Sequence, residues 1–253
     1  MLLARLAREG GGNFYYVEAP AQIADFFASE LGETLEVVAR DAEVIVTGGQ
    51  GVRCTCLHAF QTRPTSVGAA EATPYGSAIH IRLGDLVAEQ ELTVLVAVEC
   101  DTTNGALENQ RALRTEVRLT DRDNVLFRGP MLVEWQVVDA ETDRNQHASV
   151  PVLMEVATVI ASRAQEAALN ANRAGQFDRA QAIITESVTA IRALGDFPEV
   201  HRIADELAGQ ALVVNSTMDA REMKEMYALL VNVQRSRTAK GEAKRKATAN
   251  PRP

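Results

Sequence analysis

Apolar residues recur along this chain at different spacings, and each change of spacing marks a change of structure. Over residues 1–12, Leu2, Leu3, Leu6 and Ala7 fall on one face of a helix that Gly10, Gly11 and Gly12 stop. The next segment, NFYYV at 13–17, is aromatic and β-branched and predicts a strand. Pro20 opens a second helix at its first turn, where a missing N–H costs little. Ile23, Phe26, Phe27, Leu31 and Leu35 form that helix's apolar stripe. Helix, strand, helix is the grammar of a parallel α/β sheet.

After about Val38 the period shortens to two. Val52, Cys54, Cys56, His58 and Phe60 share one face of a strand. Leu92, Val94, Val96 and Val98 share another, as do Leu113, Thr115, Val117 and Leu119, and then Met131, Val133, Trp135 and Val137. Strict alternation predicts half-buried strands of an antiparallel sheet. Six or so such strands over roughly 100 residues predict a β-sandwich. Residues 63–75, rich in Pro, Gly, Ala and Thr, read as a loop, and residues 121–124 as a turn.

From Pro151 the period becomes 3.6 residues, and four helices are expected at 152–173, 177–194, 198–214 and 219–236. Gly175 and Gly195 separate them, Pro198 sits in a first turn, and Asp219 suits an N-cap. Residues 238–253 contain no large apolar side chain and are expected to be disordered. The expected architecture is therefore multi-domain α+β. It comprises a truncated α/β element at 1–37, a β-sandwich at 38–147, a helical region at 148–237 and a basic tail at 238–253.

Charge narrows the function classes. The formal net charge is −8, so a general nucleic-acid role is disfavoured, because phosphate backbones need a basic face. The tail at 238–253 carries five Lys/Arg against one Glu, a local +4 that leaves about −12 on the remainder. Three cysteines, Cys54, Cys56 and Cys100, with no secretory segment, imply reduced thiols and a cytoplasmic location. No apolar run approaches the length of a bilayer crossing.

Four constellations are candidates for chemistry. Cys54, Cys56 and His58 lie on one strand face, but same-face neighbours stand roughly 6.7 Å apart, which puts Cys54 and His58 about 13 Å apart. Zinc holds its ligands at about 2.0–2.3 Å, so the three cannot converge, and they read better as core side chains. His58, His80, His147 and His201 share no motif, and neither a nucleophile elbow nor a phosphate-binding glycine loop occurs. Asp121 and Asp123 lack the further ligands and terminal Glu of a calcium loop. Ala164, Ala168 and Ala171, followed across Gly175 by Ala180, Ile183, Ile184 and Ser187, predict a closely packed helical hairpin. No catalytic, cofactor-binding or metal-ligating residue emerges.

The run LLARLAREGGGNFYYVEAPAQIADFFASELGETLEVVARDAEVIV resembles the closing part of a von Willebrand factor type A domain. Residues 79–98, with Leu83-Gly84-Asp85-Leu86, look like the β-sandwich that follows this domain in bacterial proteins of the calcium-activated chloride-channel-like group. Residues 164–188 look like a tetratricopeptide-type hairpin, and 218–237 like the closing helix of these proteins. A complete domain of this family starts with a strand bearing Asp-x-Ser-x-Ser, with a Thr and an Asp from later loops, which together bind a magnesium-type cation. None of these can be placed in this chain, so the resemblance implies a domain without its metal-site half and a start that follows those strands. No cofactor is expected.

The leading expectation is thus a non-catalytic protein-interaction or scaffold module, with partners engaging the helical region or the β-sandwich. The alternative is a membrane-associated or transport-linked accessory protein of the same group. The third is a hydrolase whose site has no readable motif.

Overall fold

The computed structural model describes residues 3, 6, 7, 15, 17, 19–49, 52–58, 60–65, 75–100, 112–122, 126–136, 138–139, 141–142, 146, 148–234 and 244. The fold is mixed α+β and divides into two compact units. One unit is built chiefly on 21–146 and the other on 147–241.

In the first unit, helix α1 (Ala21–Leu35) leads into a long strand β1 (Val37–Gly49). Strands β2 (Val52–Cys56), β3 (Gln61–Thr65), β4 (Tyr75–Val87), β5 (Val96–Cys100), β6 (Ala112–Thr120) and β7 (Leu126–Gln136) follow. Five of them form a sheet in the order β3-β4-β1-β6-β7, and β2 pairs with β5 in a second sheet. Every described pairing is antiparallel. On β2 the expected face is the observed one, with Val52 and Cys54 buried and Arg53 and Thr55 exposed, whereas residues 131–134 of β7 are exposed on both faces. Val46, Val52, Cys54 and Ile81 are buried in one cluster to which both sheets contribute, with Val44, Ile79, Val96, Val98, Val117 and Trp135 packed against it.

The structure departs from the sequence expectations in several places. The strand expected at 13–17 is not seen: Tyr15 and Val17 lie outside any strand, and the other three residues lie outside the described set. Because the pairings among the described residues are antiparallel, the parallel α/β grammar has no counterpart among them. The strand expected from Leu92 starts only at Val96, and β7 begins earlier than its alternation indicates, at Leu126. The expected loop 63–75 loses its first three residues to β3 and its last to β4, while 66–74 lie outside the described residues, as does the glycine stop at 10–12.

Leu83-Gly84-Asp85-Leu86 has a structural role within β4. Gly84 has φ +82° opposite Ala42, where the β1–β4 register shifts, and the Asp85 carboxylate accepts the Asp41 N–H at 2.8 Å. A left-handed residue at a bulge is where glycine is favoured. Of the tail, Lys244 alone is described, and its carbonyl accepts the Glu91 N–H at 2.7 Å.

The second unit follows the sequence more closely. Helices α2 (Val150–Arg173), α3 (Phe177–Arg192) and α4 (Pro198–Gly209), a 3-10 turn (Gln210–Leu212) and α5 (Ala220–Gln234) occupy the four expected spans. Gly175, at φ +74°, ends α2: its N–H bonds the Asn172 carbonyl and the Gln176 N–H bonds the Ala171 carbonyl. That pair of bonds satisfies carbonyls the helix end would leave open. The Asp219 carboxylate accepts the Arg221 N–H at 3.0 Å, the capping role expected of it.

Ala164, Ala168, Ala171 and Ala180 are all buried, so α2 and α3 approach through small side chains. Ile184, Ile191, Val200 and Leu207 are among the larger members of the same cluster, each at 0–1% exposure. Burying each is worth roughly 1.5–3 kcal/mol. Asn172 is buried among them and donates to the Val214 carbonyl at 2.9 Å and the Ser216 carbonyl at 2.6 Å, fastening the link before α5. The Tyr227 hydroxyl of α5 donates to Glu166 of α2 at 3.3 Å.

Candidate interaction surface

The residues singled out for chemistry are dispersed into structural roles. Cys54 is buried, and the Cys56 thiol donates to the His58 carbonyl at 3.6 Å. His58, only 7% exposed, accepts the Leu95 N–H on Nδ1 at 2.9 Å, while the Leu57 N–H donates to the Leu95 carbonyl. The imidazole thus stands in for a backbone acceptor and extends the β2–β5 ladder past its last paired residue. Acceptance at Nδ1 places the neutral ring's proton on Nε2.

His80 on β4 lies 2.8 Å from a Glu43 carboxylate oxygen on β1, both half-buried. His201 bonds the Gly195 carbonyl at 3.1 Å and so ties the turn between α3 and α4. His147, Asp123 and Cys100's side chain lie outside the described residues. Beside Asp121, the Arg122 N–H donates to the Arg40 carbonyl, and the Arg122 guanidinium grips Asp41 at 2.8 and 2.6 Å. Among the described residues, no three His, Cys, Asp or Glu side chains gather closely enough to hold a metal ion.

The apolar surface is more informative. Within residues 148–234 the large apolar side chains turn inward, and among the described residues of that stretch Val152 and Val213 are the large ones that stay exposed. The other unit behaves differently. On α1, Ile23, Phe27 and Leu31 are 43%, 71% and 62% exposed. They are spaced by four residues, so they line one face of the helix. The stripe is visible in the sequence, and the structure turns much of it to solvent.

A second exposed apolar run lies on β7. Met131, Leu132 and Val133 are 52%, 56% and 40% exposed, and β7 has a described neighbour, β6, on one side only. The opposite edge strand, β3, is five residues long and contains Pro64. β7 likewise contains a proline, Pro130, so both described edges carry a residue with no N–H to offer an incoming strand. Alternation in the sequence identifies the strand but not the edge, because edge position is set by strand order rather than by local pattern.

No protein-family model matches the chain, and no curated protein matches it in sequence. One solved structure is similar to it. This is a von Willebrand factor type A protein from Catenulispora acidiphila, 15% identical, with a TM-score of 0.45 over 83% of this chain and 53% of that one. The chain spans about half the length of that structure. A likeness of this degree assigns no activity, ligand or partner. No helix among the described residues is long and apolar enough to cross a membrane.

Proposed function

We propose that this chain is a non-catalytic, cytoplasmic protein-interaction module. In this reading its helical unit is a tetratricopeptide-like scaffold and its two sheets form a small sandwich. It belongs to a protein with a von Willebrand factor type A domain and takes no cofactor of its own. The observation that carries the proposal is the Ile23–Phe27–Leu31 stripe. Three large apolar side chains exposed on one helix face have the character of a surface that another protein covers. A stripe with this spacing fits a helix lying in a partner's apolar groove.

The partner's contact area is therefore apolar and concave, and α1 supplies the ridge. A photo-crosslinking residue placed at Phe27 in the full chain should capture one discrete partner, while the same residue at Asp25, on the opposite side of α1, should not. Phe27→Lys and Leu31→Lys should each weaken that complex about ten-fold or more, with folding stability within about 0.5 kcal/mol of the parent. Equal capture from positions 27 and 25, or binding that survives both lysines, would overturn the reading.

A further inference from the structure

The space between the two sheets carries a second inference, independent of the α1 stripe. A cavity of about 750 Å³ opens there. That is far beyond the water-sized gaps of a close-packed interior. It falls within the range of small-molecule sites, about 300–1,000 Å³. Its walls come from both layers: Val44, Leu83 and Val117 on the large sheet, Val96 and Val98 on β5, and Val94 beside it. The lining is Val and Leu throughout, except for Trp135, Glu89 and Gln90.

Those exceptions are arranged unequally. Trp135 stands on the β7 side, whereas Glu89 and Gln90 are adjacent residues in the turn after β4. Glu89 is exposed and held at φ +59°, and the Gln90 side-chain oxygen accepts the Val87 N–H at 3.1 Å. With its oxygen so used, the Gln90 amide has N–H donors to offer. The polar groups therefore collect in one turn, beside a long aliphatic wall. Glu91, the next residue, adds another exposed carboxylate. Lys244 lies beside this turn, its carbonyl accepting the Glu91 N–H, so two carboxylates border the mouth against one described cation. That excess of carboxylate disfavours an anionic ligand and accepts hydrogen bonds from a hydroxyl or amine.

We propose that this cavity binds a single-chain aliphatic amphiphile with a non-anionic head, its tail between the sheets and its head at Glu89 and Gln90. Trp135 is the chain's only tryptophan, so its emission reports directly on the cavity. The full chain is titrated with dodecanol, dodecylamine or laurate, each below its micelle-forming concentration, and native mass spectrometry counts bound ligands.

The alcohol and the amine should give a saturable blue shift at one ligand per chain, with laurate about ten-fold weaker at neutral pH. Glu89→Gln, in an exposed turn, should remove most of that difference and leave the fold unchanged. Val98→Phe, which intrudes a ring between the sheets, should weaken binding about ten-fold or more. Equal affinity for laurate in the parent chain overturns the head-group assignment. No saturable shift, or several ligands per chain undiminished by Val98→Phe, overturns the site.

Discussion

The two units bury apolar surface in different ways. In the helical unit, isoleucine, valine and leucine side chains from three helices meet at essentially zero exposure, with alanines letting the backbones close in. In the sheet unit, the fully buried set is small, a cavity lies between the layers, and Phe27, Leu31 and Leu132 face solvent. The helices of the first unit cover their apolar faces with one another. The second has apolar surface left to cover, and apolar surface left to cover is what binding uses. Function is therefore better sought in the sheet unit, although the helices are the more regular part of the chain.

The sharpest way to break this comparison is a matched pair of truncations. Leu207→Ala removes a side chain at 1% exposure and should cost about 2–5 kcal/mol, read as an earlier denaturant midpoint in the helical circular-dichroism band. Leu132→Ala, from a site 56% exposed, should cost less than about 0.5 kcal/mol. Similar losses at the two sites would mean that the units are equally closed.

A smaller effect is expected from Asn172→Ala. It leaves the Val214 carbonyl, and in part that of Ser216, without a donor, for a loss of about 1–3 kcal/mol. Amide exchange should speed up first in the link at 213–218. Unchanged exchange there would show that the asparagine does not fasten it.

The smallest effect concerns Asp139, whose carboxylate accepts N–H bonds from Thr142 at 2.7 Å and Glu141 at 3.1 Å. The bond from the Thr142 backbone, foremost, holds its pKa below the ordinary 3.8. Its support for that turn is thus fully present above the unfolded value and lost as pH falls through the lower folded one. A carboxyl NMR titration should show a midpoint below 3.8, and a midpoint at or above it would remove the capping bonds from the account.

Much of the fold was legible because it rests on local periodicity. The four C-terminal helices, the inward face of β2 and the buried seam of Ala164, Ala168 and Ala180 all follow from spacing within one segment. What escaped depends on neighbours. Residues 13–17 have strand-forming side chains, yet Tyr15 and Val17 lie outside any strand. Leu92 and Val94 alternate like strand residues but line a cavity outside any strand. The candidate surface was half legible. The stripe on α1 was evident, but amphipathicity shows only that a face is apolar, and whether that face is covered is decided by the rest of the chain.

The two edge strands of the five-stranded sheet, β3 and β7, each contain a proline, Pro64 and Pro130. A residue without an N–H breaks the row of donors that an added strand would use. Both described rims of the sheet thus carry a safeguard against the strand-on-strand stacking that seeds a fibre.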